Sequence, residues 1–172
     1  MRRLLLLRHA KAVPAEHALD DIARPLAERG ERDARRIGER LRAHQLSPSL
    51  ILASPATRTL QTARLVAGSL DYPRDAIALE RRLYLAEAPS IVEVIAEQAP
   101  AIESLLVVGH NPGLTQVVHD LLPSFDVEDL PTGAVVALEY AAADDWADVQ
   151  HAVGRLTYYD FPKNSREPAT TR

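Results

Sequence analysis

The sequence predicts an α/β fold: one three-layer α/β/α sandwich around a mixed, mainly parallel sheet of about six strands. Short apolar runs alternate along the chain with segments in which apolar residues follow a helical period. The chain has 172 residues, of which 47% are hydrophobic, so it is long enough to bury the core of one domain. Strands that alternate with helices form right-handed βαβ units, which place helices on both faces of the sheet.

The six apolar runs are the predicted strands. They cover residues 4–7, 50–53, 77–79, 105–108, 134–140 and a last run around 152–159. The stretch "AAADDWADVQH" between the last two runs is short and has no helical period. We therefore expect these two strands to form an antiparallel hairpin at one edge of the sheet, which makes the sheet mixed.

Four helices are predicted in the intervals between strands. The first carries a stripe of small and apolar residues in alternating steps of three and four, namely Ala27, Gly30, Ala34, Ile37 and Leu41. Three more are expected at about residues 56–70, 89–98 and 112–122. We expect a single domain over residues 1–162, followed by a polar C-terminal tail over residues 163–172.

Charge and composition narrow the class of partner. The net charge of −4 argues against a nucleic-acid partner, because binding to a phosphate backbone normally needs a basic surplus. The chain contains no cysteine, which excludes disulfides and thiolate chemistry and fits the reducing cytoplasm. No apolar segment approaches membrane-spanning length, and the leucines of "MRRLLLL" stop at Arg8, short of a secretory signal. We expect a cytoplasmic protein with no membrane partner.

Arginine and histidine end the first predicted strand. In "LLLLRHAKA", Arg8 and His9 directly follow four consecutive leucines. A buried strand gains nothing from two such side chains at its end, whereas a site for an anionic ligand does. Because ligands of open α/β sheets bind outside the carboxyl ends of the parallel strands, this strand end is a candidate binding site.

The second and fourth predicted strands also end in polar residues. In "ASPATRTLQTA", Ser54 is expected to cap the next helix, so that Arg58 falls in its first turn. In "VVGHNPGL", His110 leaves the strand, and Asn111 can cap the helix that Pro112 opens. Two arginines, two histidines and two helix N-termini therefore converge at one sheet edge, which predicts a pocket for a dianion such as phosphate.

The motifs "LLRHAKA", "SPATRTLQTA" and "VVGHNPGL", in this order, resemble the histidine phosphatase superfamily, which has the phosphoglycerate mutase-like fold. The resemblance extends over nearly the whole chain. Ala10 stands where most members have a glycine, as is common in the short bacterial branch. With "RPLAERGERDA" included, the chain most resembles the SixA-type phosphohistidine phosphatases, which lack the insertions that cap the pocket in mutases and acid phosphatases.

The resemblance implies a role for each strand-end residue. His9 is the expected nucleophile, and a neutral imidazole nitrogen is indeed nucleophilic near pH 7 without a separate base. Arg8 and Arg58 are expected to bind the equatorial phosphoryl oxygens, with a further hydrogen bond from His110 and a substrate contact from Asn111. We expect no cofactor and no metal, because the arginines supply positive charge and the sequence has no His-Glu-x-x-His motif.

A general acid for the leaving group is the least determined part of the predicted site. Family members usually carry a carboxylate after the third strand, where this chain reads "LERRLYLAEAP". Glu80 is the candidate, with Glu87 as the lesser alternative, although the adjacent arginines can equally hold Glu80 as a surface ion. A phosphohistidine substrate relaxes the requirement, because a protonated ring departs as a neutral imidazole.

Three functions fit the predicted pocket. The leading one is a phosphatase that acts through a phosphohistidine intermediate on phosphohistidine in signalling proteins. The expected partner is then a phosphorylated protein with a phosphohistidine domain, and the absence of capping insertions favours such a partner. The alternatives are a phosphomonoesterase for a small phosphorylated molecule and a non-catalytic phosphate-binding module.

Overall fold

The structure, a computed structural model, describes residues 1–17 and 20–165. Its centre is a six-stranded sheet with the order β3-β2-β4-β1-β5-β6, so the predicted fold class is confirmed. The strands are β1 Arg2–Arg8, β2 Leu50–Ala53, β3 Ala78–Leu79, β4 Ser104–Gly109, β5 Val135–Tyr140 and β6 Arg155–Asp160. The α-helices of this described part are α1 Glu28–Ala43, α2 Thr57–Ser69, α3 Ala88–Ala96 and α4 Gly113–Leu121.

The pairing of the strands confirms the mixed sheet. Strands β1, β4, β2 and β3 run parallel, whereas β5 is antiparallel to β1 and β6 is antiparallel to β5. The β5–β6 hairpin lies at one edge, as expected. The last strand begins at Arg155 rather than near residue 152, because residues 146–151 form a 3₁₀-helix whose first turn Asp145 and Asp148 cap reciprocally.

The four consecutive leucines of β1 serve two separate cores. Successive side chains of a strand point to opposite faces, so Leu4 and Leu6 pack with α3 and α4 while Leu5 and Leu7 pack with α1 and α2. All four are fully buried. Each contributes about 1.5–3 kcal/mol from its burial. Helices on both faces therefore explain why this strand reads as a continuous apolar run.

Helix α1 packs closely against the segment that follows β1. The predicted stripe is buried from Gly30 to Leu41. A Cβ atom on Gly30 would lie 2.0 Å from the carbonyl oxygen of Lys11, so only glycine permits this approach. The same oxygen accepts a hydrogen bond from the Ala27 N–H at 2.9 Å. The start of α1 thereby holds the chain two residues after His9.

The helix start after β2 differs from the prediction. Ser54 does not cap α2, whose N-cap is Ala56, because the Ser54 N–H still bonds to the Val108 carbonyl at 3.1 Å and extends the sheet by one residue. Ser54 is fully buried, and its hydroxyl faces His110. Arg58 nevertheless lies in the first turn of α2, as expected.

The helix start after β4 is shifted by one residue. Pro112 occupies the N-cap position of α4 instead of its first turn, and Gly113 begins the helix. The Asn111 side-chain oxygen accepts hydrogen bonds from the Thr115 N–H at 3.3 Å and from the Thr115 hydroxyl at 2.9 Å. Asn111 therefore accepts hydrogen bonds from the first turn of α4, although it lies one residue before the N-cap position.

The C-terminal segment contacts the last strand and helix α1 through Asn164. The Asn164 side chain donates to the buried Asp160 carboxylate at 3.0 Å, and Arg40 donates to the Asn164 carbonyl at 3.3 Å. Residues 166–172 of the predicted tail lie outside the described residues, and the domain boundary at residue 162 stays a prediction. Over residues 1–17 and 20–165, no helix has the length and apolar character needed to span a membrane. The cytoplasmic location also stays a prediction.

Candidate active site

A cavity of about 310 Å³ opens at the carboxyl ends of β1, β2 and β4. The predicted residues Arg8, His9, Arg58, His110 and Asn111 all line it. Because Arg8 and Gly109 are register partners of adjacent parallel strands, the residues that follow them, His9 and His110, are brought side by side. Their ring centroids are 5.5 Å apart in an edge-to-face arrangement. The other lining residues are Lys11, Ala12, Asp21, Arg24, Leu85 and Thr132.

The hydrogen bonds of His9 fix its reactive nitrogen. Its Nδ1 lies 2.8 Å from the Ala10 carbonyl oxygen, which can only accept, so Nδ1 carries the proton and Nε2 keeps its lone pair. The side chain is largely buried, and this burial, together with the charges of the nearby arginines, lowers the pKa of His9 to about 4. The ring is therefore a neutral nucleophile at pH 7.

The two arginines Arg8 and Arg58 are held by backbone carbonyls and retain free donors. Arg58 is 2% exposed and donates from Nη1 to the Asp21 carbonyl oxygen at 2.7 Å, whereas Arg8 donates from Nη1 to the Leu130 carbonyl oxygen at 2.6 Å. Burial lowers the pKa of Arg8, and Asp129 opposes this effect. The Nε atoms of Arg8 and Arg58 are buried without a hydrogen-bond partner among the described residues. Such donors suit an anion.

His110 is a neutral ring with both nitrogens engaged. Its Nδ1 lies 3.3 Å from Arg58 Nη2, and because a guanidinium cannot accept, Nδ1 is the acceptor. Nε2 therefore carries the hydrogen and donates to the Ser54 hydroxyl at 2.8 Å. Burial, followed by the charge of Arg58, lowers the pKa of His110 to about 3. A hydrogen bond from His110 to a phosphoryl oxygen thus requires the ring to leave Ser54 or to change its tautomer.

Asn111 supports the wall of the cavity. Its side-chain amide donates to Asp129 Oδ1 at 2.8 Å and to the Leu130 carbonyl at 3.0 Å. The Leu130 carbonyl also accepts from Arg8, so Asn111 and Arg8 meet on the same backbone oxygen. The predicted substrate contact of Asn111 stays a prediction, since both amide hydrogens already have partners.

Comparison with known proteins agrees with this geometry. The family model described as histidine phosphatase superfamily (branch 1) matches residues 4–88. A Mycobacterium tuberculosis (strain CDC 1551) protein, itself uncharacterised, is 32% identical over 167 residues, which cover 91% of this chain and 100% of that protein. The chain belongs to the histidine phosphatase superfamily.

Within the superfamily the chain is of the SixA type. A structure from Nakamurella multipartitia, provisionally named phosphohistidine phosphatase SixA, has a TM-score of 0.82 and 26% identity and covers 95% of this chain and 97% of that one. A second structure with the same provisional name, from Agrobacterium tumefaciens, has a TM-score of 0.75 and 27% identity over 92% of this chain and 96% of that one. Both comparisons extend over nearly the full length of each chain.

In this histidine phosphatase the structure does not bring Glu80 to the cavity. Glu80 is absent from the lining residues and accepts hydrogen bonds from the Arg82 N–H at 2.9 Å and the Arg82 guanidinium at 3.1 Å. Hydrogen bonds from Arg82 lower the pKa of Glu80, so its carboxyl is ionised at neutral pH. An ionised carboxyl has no proton to donate, and the arrangement is that of a surface ion pair.

A carboxylate that the sequence reasoning missed does line the cavity of this superfamily member. Asp21 accepts from Arg58 Nη2 at 3.0 Å, from Arg24 Nη2 at 3.1 Å and from the Tyr84 hydroxyl at 2.7 Å. The hydrogen bond from Tyr84, followed by those of the two arginines, lowers the pKa of Asp21 to about 2. The spacing of Asp21 and Arg24 in "DDIAR" was a readable local signal, but the contact with Arg58 comes only from folding.

The described part of this phosphatase also lacks a cluster of metal-binding side chains. Residues 1–17 and 20–165 contain no group of three or more histidine, aspartate or glutamate side chains placed to hold a metal ion. The expectation that no cofactor or metal is required stays a prediction.

Proposed function

We propose that this protein is a phosphatase that transfers the phosphoryl group to His9 and then to water, and that its principal substrates are phosphohistidine side chains of signalling proteins. One observation carries the proposal: His9 presents an unprotonated Nε2 in a cavity lined by the cations Arg8, Lys11, Arg24 and Arg58. A nucleophile beside several fixed cations is what phosphoryl transfer needs, because the cations stabilise charge on the equatorial oxygens. No cofactor takes part in this scheme.

The first step is attack of His9 on phosphorus. A bond forms between His9 Nε2 and phosphorus while the bond from phosphorus to the leaving group breaks, and the electron pair of that bond stays with the leaving group. Arg8 and Arg58 bind the equatorial oxygens during the transfer. The Nδ1 proton stays on His9, because the Ala10 carbonyl at 2.8 Å accepts its hydrogen bond. The phosphorylated ring therefore carries a positive charge.

The second step is hydrolysis of phosphorylated His9. Water attacks phosphorus, the bond between phosphorus and Nε2 breaks, and the electron pair returns to Nε2. The ring leaves as a neutral imidazole because Nδ1 has kept its proton. Inorganic phosphate takes up both hydrogens of the water molecule, so the step needs no separate base.

The shape of the cavity supports a side chain on another protein as substrate. Three residues of its lining, Lys11, Asp21 and Leu85, are exposed to solvent, with Leu85 54% exposed. The cavity therefore opens to the surface at these residues, and a phosphorylated ring that projects from a partner protein can reach His9. The similarity to SixA structures supports the same substrate class.

Rapid mixing with a radiolabelled phosphohistidine protein, quenched without acid, tests the mechanism. We expect label on His9 that is acid-labile and alkali-stable, unlike a serine ester. A panel of phosphorylated metabolites, assayed beside the phosphohistidine protein, tests the substrate class. A higher kcat/KM for a metabolite would contradict the protein substrate and favour a small-molecule phosphomonoesterase. Absence of label on His9 during turnover would contradict the mechanism itself.

A further inference from the structure

Asp21 is the one carboxylate among the described residues that line the catalytic cavity. It begins a 3₁₀-helix over residues 21–23, and its side chain is 42% exposed, so an incoming molecule can reach it. Arg58 Nη2 is 3.0 Å from Asp21 Oδ2 and 3.3 Å from His110 Nδ1. One guanidinium nitrogen therefore bridges Asp21 and His110, whose ring lies beside that of His9.

The Asp21 carboxylate is held in place but has acceptor capacity left. Its Oδ2 accepts from Arg58 and from Tyr84, whereas Oδ1 accepts from Arg24. A carboxylate has about four lone-pair positions. Among the described residues these contacts leave one position on Oδ1 open.

Asp21 is unsuited to protonate an alkoxide. The hydrogen bond from Tyr84 and the two arginines lower the pKa of Asp21 to about 2, so the group is ionised at neutral pH. A phosphate ester of an ordinary alcohol needs a proton donor for its leaving oxygen. An ionised carboxylate can instead accept a hydrogen bond from a cationic N–H and stabilise its charge.

We propose that Asp21 binds the ring N–H of the substrate phosphohistidine and keeps that ring protonated until its P–N bond breaks, which makes the site selective for P–N over P–O bonds. The proposal rests on the proposed function and assigns Asp21 as its specificity-determining residue. As His9 Nε2 bonds to phosphorus, the electron pair of the P–N bond goes to the substrate ring nitrogen. The proton on the other nitrogen stays in place, so the substrate ring leaves as a neutral imidazole.

Replacement of Asp21 by asparagine, with two substrates, tests this role. A phosphohistidine peptide needs the ring proton, whereas p-nitrophenyl phosphate releases a stable phenolate and does not. We expect D21N to lower kcat/KM for the peptide by about tenfold or more relative to the ester, since an opposite charge at close range shifts a pKa by about 1–3 units. The matched control is D20N, which removes the same charge from an exposed neighbour outside the cavity. D20N should leave the ratio unchanged.

A pH profile separates this role from simple support of Arg58. The carboxylate raises the pKa of an adjacent imidazolium, so peptide hydrolysis should extend to higher pH in the wild type than in D21N. Y84F, which keeps the carboxylate and removes the 2.7 Å hydrogen bond to it, should retain most of the wild-type selectivity. Turnover of p-nitrophenyl phosphate by each variant verifies that it is folded.

Two results would overturn the proposal. Equal losses on both substrates, with an unshifted pH profile, would reduce Asp21 to a group that positions Arg58. Unchanged selectivity in D21N would show that Asp21 does not contact the leaving ring. Both results require a wild type that hydrolyses the peptide, so they are distinct from failure of the proposed function. In that failure the wild type hydrolyses the ester but not the peptide, or neither substrate, and the role of Asp21 falls with it.

Discussion

Arg58 Nη2 lies 3.3 Å from His110 Nδ1, and this contact determines the protonation state of the ring beside the nucleophile. The guanidinium can only donate, so His110 must accept at Nδ1 and carry its hydrogen on Nε2, where Ser54 receives it. His9 is fixed in the opposite tautomer by the Ala10 carbonyl. The two neighbouring rings thus have different roles although both are neutral: His9 offers a lone pair, and His110 is tied to Arg58 and Ser54.

Stability should fall on mild acidification. Burial lowers the pKa of His9 to about 4 and that of His110 to about 3, below the usual 6.5. Between pH 6.5 and pH 4 the unfolded chain binds protons that the folded protein does not, so the free energy of unfolding decreases as the pH falls through this range. The slope is at most about 1.4 kcal/mol per pH unit for each ring. Urea unfolding of the wild type and of H9A at pH 7 and pH 5 measures it.

H9A should show a smaller pH dependence than the wild type, because only His110 then contributes from this pair. Asp21 does not confound the comparison: its pKa of about 2 affects stability only below about pH 4. Equal slopes in the two proteins would mean that His9 is not buried as a neutral ring.

H9A should also lose turnover while it keeps anion binding. His9 lies at a strand end, outside the three apolar clusters, so its removal should leave the fold intact. Arg8, Arg58 and His110 remain, and calorimetry should still detect phosphate or vanadate at millimolar concentration. Appreciable turnover by a verified pure H9A preparation would indicate direct attack by water and contradict the covalent mechanism.

Arg58→Lys should lower kcat by on the order of a hundredfold. The guanidinium of Arg58 contacts Asp21 and His110 and still has a further N–H for an anion, whereas lysine lacks this planar fork. Loss of one transition-state donor typically lowers kcat by about this factor. Arg64→Lys is the matched control, since Arg64 lies on the same helix and is exposed. A kcat of R58K within a few-fold of that of R64K would show that Arg58 does not contact the transferring phosphoryl group.

Gly30→Ala should destabilise the protein and reduce activity. The new Cβ would lie 2.0 Å from the Lys11 carbonyl oxygen, so α1 or the segment after His9 must move, at a cost of about 1–3 kcal/mol. Gly68→Ala is the control, because the Cβ there meets only the end of the Arg74 side chain and an exposed helical alanine stabilises. Thermal melts and kcat measured on both variants test whether Gly30→Ala lowers stability and activity more than Gly68→Ala does. Equal melting temperatures would show that the Lys11 segment yields freely.

The alternation of apolar runs with helical periods was sufficient to predict the sheet, its mixed character and the edge at which the motif residues meet. These features follow from local patterns, because a fully buried parallel strand must be apolar on both faces, as β1 is. Arg8, His9, Arg58 and His110 were predictable for the same reason, since parallel strands deliver their carboxyl ends to one edge. The helix caps expected at Ser54 and Asn111 were harder to predict, because the sheet register decides where each helix begins.

What the sequence by itself determined, then, is which side chains arrive at the cavity edge from the strand ends. The folded structure alone decided their partners and protonation states. Asp21 lies 37 residues before Arg58, and no periodic pattern joins them, so their 3.0 Å contact depends on how the 3₁₀-helix over residues 21–23 packs against α2. Glu80 stands after a strand as expected, yet Arg82 two residues later holds it at the surface. Ion pairs and hydrogen bonds form between groups that the tertiary packing brings within about 3 Å, a distance that sequence spacing does not encode.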